Sequence, residues 1–131
     1  GPKKGRASVS DGRTILIVDD SLISRLFMKK AVQATFPNWE IIEAGNAQEA
    51  LSSVGDVSVN VALLDLNMPG GINGLALAKT LQDSHEGVQI ALVTANVQLS
   101  IQEKADSLGV AFIAKPVTEE KISGFLEKCF A

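Results

Sequence analysis

Thr14-Ile15-Leu16-Ile17-Val18 runs without a break into Asp19-Asp20-Ser21. An uninterrupted β-branched and apolar run of this length suits a strand buried on both faces of a parallel sheet. Ser21 reads as the N-cap of a helix in which Leu22, Ile23, Leu26, Phe27 and Ala31 recur at helical spacing, with Pro37-Asn38 closing it. Moving outward, Trp39 to Ala44 reads as a second strand. Asn46 caps a short helix through Ala47, Ala50, Leu51 and Val54, with Gly55 as its stop. Val59 to Leu64 predicts a third strand ending at Asp65, and turn signals fill Asn67 to Gly74 before Leu75, Ala78 and Leu81 mark the next helix. Val88 to Val93 predicts a fourth strand ending at Thr94, and Ile101, Ala105 and Leu108 a helix stopped by Gly109. Val110 to Ala114 reads as a short fifth strand before Lys115-Pro116. Ile122, Phe125, Leu126, Cys129 and Phe130 then form the stripe of a last helix. Strands alternating with helices in this way predict an α/β fold, a doubly wound parallel sheet of five strands with five helices covering both faces.

The chain has 131 residues and a net charge of -3, with 46% hydrophobic and 21% charged residues, which excludes a disordered or fibrous protein. Length argues for one domain, and the mild acidity gives no electrostatic footprint for direct nucleic-acid binding. The lone Cys129 excludes an internal disulfide framework and a Cys-rich zinc site, and fits a reducing compartment. With no apolar run near the roughly 20 residues that span a bilayer, a soluble cytoplasmic domain without membrane insertion is expected. Residues 1–13 read as a flexible tail in which Gly1-Pro2 resembles a protease scar and Lys3, Lys4, Arg6 and Arg13 are solvated; residues 14–131 form the domain. His85 is expected to be a solvated surface residue and Cys129 a small buried one.

Chemistry collects where the strands end. Asp19 and Asp20 follow the first strand, Asp65 the third, Thr94 the fourth and Lys115 the fifth. In open α/β sheets the ligand crevice lies outside the carboxyl ends of the strands. Three carboxylates crowded there repel one another unless a cation sits among them, and oxygen donors without nearby His or Cys favour Mg²⁺. A carboxylate, a divalent cation, a lysine and a hydroxyl at one point make a phosphoryl-transfer site, because cations and donors stabilise charge spreading over the equatorial oxygens. Asp65 would be the nucleophile, forming an aspartyl phosphate, with Asp19 and Asp20 holding the metal beside it. Lys115 would pair with one phosphoryl oxygen, and Thr94 would donate to another.

Asp19-Asp20-Ser21, Asp65 followed by Asn67-Met68-Pro69, Thr94-Ala95 and Lys115-Pro116, in this order, resemble the receiver domain of response regulators in two-component signalling systems. The resemblance covers the whole folded part and implies the flavodoxin-like strand order 2-1-3-4-5. It implies Asp65 as phosphoacceptor, Asp20 as direct and Asp19 as water-mediated metal ligand, and the backbone carbonyl of Asn67 as a further ligand. The Asn67 side chain and Asn96 would tune dephosphorylation. Thr94 and Phe112 would act as a switch, and Lys115-Pro116 would be a cis peptide. A histidine kinase or histidine phosphotransfer protein would be the donor. A downstream protein would dock on the face of the fourth helix, fifth strand and fifth helix. Self-phosphorylation from small donors and slow self-dephosphorylation are implied, without turnover of a separate substrate. Two departures stand out: one residue more than the family's usual count lies between Pro69 and Gly74, and Phe112 lacks the hydroxyl of a tyrosine.

Other classes fit less well. An aspartyl-nucleophile phosphohydrolase of the haloacid dehalogenase kind places its acids as Asp-x-Asp and carries a cap, whereas Asp19 and Asp20 are adjacent and no segment is long enough for one. A flavodoxin-type binder needs a phosphate-cradling loop after the first strand, where Asp-Asp-Ser has the wrong charge. A phosphorylation-independent interaction module remains the alternative. Stand-alone receiver, hybrid-kinase receiver and a domain cut from a transcription factor all fit the sequence.

Overall fold

The computed structural model describes residues 12–130. Strands β1 (Thr14–Val18), β2 (Glu40–Ala44), β3 (Val61–Leu64), β4 (Gln89–Thr94) and β5 (Ala111–Ala114) alternate with helices α1 (Leu22–Thr35), α2 (Ala47–Val54), α3 (Gly74–Ser84), α4 (Leu99–Ser107) and α5 (Glu119–Phe130). The strands pair in parallel in the order β2-β1-β3-β4-β5, as expected of a doubly wound sheet.

Every residue of β1 and β3 is buried because both sheet faces are covered. Successive side chains point to opposite faces. Leu16, Val18, Ala62, Leu64 and Leu92 therefore pack with Ala50, Leu77, Leu81 and Ala105 of α2, α3 and α4 on one side. Ile15, Ile17, Val61, Leu63 and Val93 pack with Met28, Val32, Ile122 and Leu126 of α1 and α5 on the other. Each fully buried Leu or Ile in these layers contributes roughly 1.5–3 kcal/mol. Side-chain caps start four helices: Ser21 Oγ accepts from Ser24 N–H, Asn46 Oδ1 from Glu49 N–H, Asn73 Oδ1 from Ala76 N–H and Thr118 Oγ1 from Lys121 N–H. Gln98, before α4, makes no such bond.

Four details differ from expectation. Trp39 stands just before β2 rather than in it, buried and stacked on Phe36 with ring centroids 4.3 Å apart and edge-on to Phe130 at 5.3 Å. Arg13, read as tail, joins the domain: its carbonyl accepts from Glu40 N–H and its guanidinium lies over the Phe130 ring. The rest of the expected tail, apart from Gly12, falls outside the described residues. Cys129 is half-buried rather than fully buried, with its thiol 3.8 Å from Gln89 Oε1 and its pKa raised by desolvation. The apolar residues of α1 also divide between two faces. At 100° per residue, Met28, Ala31 and Val32 lie on the side that packs on the sheet, and these are buried. Leu22, Ile23, Leu26 and Phe27 fall on the opposite side and are exposed, Ile23 at 80%. The spacing was helical, but it marked a second, outward apolar face.

Candidate functional site

The turns after β1, β3 and β5 meet at one edge of the sheet. Asp19 is fully buried, and the structure ties it down at several atoms. Its N–H donates to Ala44 O, its Oδ1 accepts from Ser21 N–H at 2.9 Å, and its Oδ2 accepts from Lys115 Nζ at 2.8 Å. Asp20, the next residue, is exposed. Asp65 is held by its own N–H to Val18 O, and its Oδ1 accepts from Leu66 N–H at 2.9 Å. Lys115 Nζ lies 3.7 Å from that same Oδ1, so the ammonium bridges two carboxylates.

Asp19, Asp20 and Asp65 each offer a carboxylate oxygen within 4.8 Å of the other two. A set of hard oxygen donors this close fits a divalent cation such as Mg²⁺, which keeps several waters and takes few protein ligands. Electrostatics agrees with that fit. Burial and then the charge of Asp19 push the Asp65 carboxyl up to about 6, against the pull of Lys115. A cation in the cluster would reverse that strain.

Lys115 reaches inward because its N–H donates to Thr94 O at 2.9 Å, extending the pairing of β5 with β4. The Lys115–Pro116 peptide is cis. Lys121, one turn into α5, donates from its Nζ to both Ala114 O and Pro116 O, the carbonyls on either side of Lys115. Thr94 is buried at the end of β4, where its Oγ1 accepts from Asn96 N–H at 3.1 Å and its hydroxyl proton stays available for donation. Gly74 presses the start of α3 against the site: a Cβ there would stand 2.2 Å from Asp65 O. Asn67 is exposed, two residues past Asp65. Phe112 is half-buried on β5, away from the acids, and lines grooves toward α4 and toward α5.

Asp19, Asp20, Asp65 and Lys115 thus converge, with Thr94 on the adjoining strand end, while Asn67 and Phe112 stand at the periphery. Arg25 and Lys121 also have parts in this geometry and carry no signal in the sequence beyond position, while Gly74 is legible there only as a turn glycine. Arg25 follows Ser21 by one helical turn, and its guanidinium donates to Asp19 O at 2.6 Å.

Residues 15–127 match the sequence model of the response regulator receiver domain. A probable chemotaxis protein CheY of Rhizobium etli is 30% identical over 127 residues, covering 94% of this chain and 96% of that one. The cyclic di-GMP phosphodiesterase response regulator RpfG of Xanthomonas campestris is 31% identical over 114 residues, 85% of this chain and 30% of that protein. The chain spans less than half the length of several curated relatives that it matches. Among solved structures, the chemotaxis protein CheY4 of Vibrio cholerae superposes with a TM-score of 0.79 at 21% identity, over 90% of this chain and 98% of that one. That likeness concerns the fold.

Proposed function

The chain belongs to the response regulator receiver domain family, and on that basis we propose that it accepts a phosphoryl group from a phosphohistidine onto Asp65. One observation carries the reading: three carboxylates within 4.8 Å of one another, with the Lys115 ammonium against two of them. Asp19, Asp20 and Asp65, with the backbone carbonyl of Asn67, would hold Mg²⁺, whose charge offsets that of the phosphoryl oxygens. Leu66 N–H occupies Asp65 Oδ1, which leaves the other carboxylate oxygen to attack phosphorus. The new O–P bond forms as the P–N bond breaks, and its electron pair goes to the imidazole. Lys115 is placed to exchange part of its contact with Asp19 for a phosphoryl oxygen, and the Thr94 hydroxyl donates to another. Drawing Thr94 inward disturbs its contact with Asn96 and frees space behind β4. Phe112, half-buried at the margin, fills that space and alters the face of α4, β5 and α5 that a downstream protein reads.

The exposed side of α1 supports a protein donor. Ile23 and Phe27 share a groove with Lys115, Pro116 and Val117, so an apolar surface reaches the rim of the site. A donor that docks there delivers its phosphohistidine beside Asp65, and exposed apolar area of this kind marks an interaction surface.

Intact mass after incubation with Mg²⁺ and acetyl phosphate tests the chemistry. One added phosphoryl group, absent in Asp65→Asn and in chelator, is expected. No gain in mass, together with no beryllofluoride complex, would refute the reading and leave a phosphorylation-independent interaction module.

A further inference from the structure

We propose that Arg25 is a positioning residue for the cation site, setting the turn through which Asp19 and Asp20 present their carboxylates to one ion. The inference rests on the metal-binding part of the function proposed above. Arg25 sits on the first turns of α1 with its side chain 18% exposed. Its N–H donates to Ser21 O, and its Nη1 donates to Asp19 O at 2.6 Å. One residue thus grips the 19–21 turn from both main chain and side chain.

The carbonyl that it grips belongs to the peptide plane joining Asp19 to Asp20. That plane is rigid, so fixing the oxygen fixes the direction in which Asp20 leaves it. The Asp19 carboxylate is already held by Ser21 N–H and Lys115 Nζ. Asp20 is exposed, and the Arg25 contact orients the chain that carries it. The guanidinium is itself braced: its Nε donates to Glu43 Oε1 at 3.3 Å, and Lys29 Nζ holds the other oxygen of Glu43 at 3.1 Å. Glu43 lies on β2, so the brace ties the turn to the sheet.

Two opposite effects of Arg25 make the role testable. As a positive charge on the turn that carries Asp19 and Asp20, it repels a divalent cation, so charge alone predicts tighter Mg²⁺ binding when it is removed. As a positioning group, it predicts weaker binding, since supports of this kind typically cost about tenfold or more in metal affinity when lost. The experiment is a Mg²⁺ titration followed by amide NMR shifts at residues 19, 20 and 65, well below the thermal midpoint, on wild type, Arg25→Met and Arg25→Lys. We expect about tenfold weaker binding for Arg25→Met and a smaller loss for Arg25→Lys, which keeps the charge and a donor but not the planar fork that spans Asp19 O and Glu43 together. Should Arg25→Met fail to fold in chelator, Arg25→Lys carries the test, because charge alone predicts no change for it. Unchanged or tighter binding in the folded variants overturns the inference while leaving the site reading intact. A wild type that binds no Mg²⁺ removes the site reading, and this inference with it.

Discussion

Replacing Asp65 by Asn should stabilise the metal-free protein at neutral pH. Burial and the Asp19 charge raise the Asp65 carboxyl from 3.8 to about 6, so the folded chain holds that proton more tightly than the unfolded chain does. Stability contributed by neutral Asp65 is therefore complete below about 3.8 and is lost as pH rises from there to about 6. At roughly 1.4 kcal/mol per tenfold change in proton affinity, the gap corresponds to roughly 3 kcal/mol of strain in the ionised, metal-free protein. Asn keeps an oxygen to accept from Leu66 N–H and carries no charge, so it relieves most of that strain. For a domain of this size the gain corresponds to a midpoint rise of roughly 10 °C. Urea and thermal unfolding in chelator, at pH 7.5 and again at pH 4, measure it. The difference between variant and wild type should be large at pH 7.5, shrink toward zero near pH 4, and narrow at pH 7.5 when Mg²⁺ is added. A destabilised Asp65→Asn in chelator, or a gain that ignores pH, would show that repulsion and burial do not govern this carboxylate.

Further changes probe other contacts. Gly74→Ala places a Cβ 2.2 Å from Asp65 O and 2.9 Å from Leu92 Cδ1, and should cost about 3 kcal/mol in urea unfolding as α3 is forced off the site. Lys115→Met leaves the buried Asp19 carboxylate without the ammonium now 2.8 Å away, at a cost of about 3 kcal/mol in chelator that Mg²⁺ partly restores; unfolding with and without the ion reads both. Ile23→Ser with Phe27→Ser should leave stability within about 0.5 kcal/mol per site and labelling by acetyl phosphate unchanged, while slowing transfer from a phosphorylated histidine protein in a radiolabel assay.

The alternation of strands and helices was legible because β1, β3 and β4 are buried on both faces, and unbroken runs such as Ile15 to Val18 have no other comfortable state. Strand ends were legible for the same reason: the run stops where Asp19, Asp65 and Thr94 begin. The direction of α1 was not. Leu22, Ile23, Leu26 and Phe27 satisfy helical spacing as well as Met28, Ala31 and Val32 do, and periodicity alone does not say which stripe meets the sheet. Trp39 escaped for a different reason: Phe36 is a local partner three residues away, but Phe130, which meets the indole edge-on, arrives only through the docking of α5. In the site, acids and lysine could be read as residue types, but Arg25 works by reaching a backbone carbonyl, and any arginine on a helix looks alike in sequence. Gly74 acts only through the closeness of Asp65 O.

Trp39 is the chain's single tryptophan, and it stands immediately before β2, at the opposite end of the sheet from Asp65. Five residues of strand separate the two ends, about 16 Å. Its emission should therefore follow loss of the Phe36 and Phe130 contacts on unfolding and change little when an ion binds at the far end of the sheet. Unfolding curves for site variants can therefore be compared with and without Mg²⁺ on one optical scale.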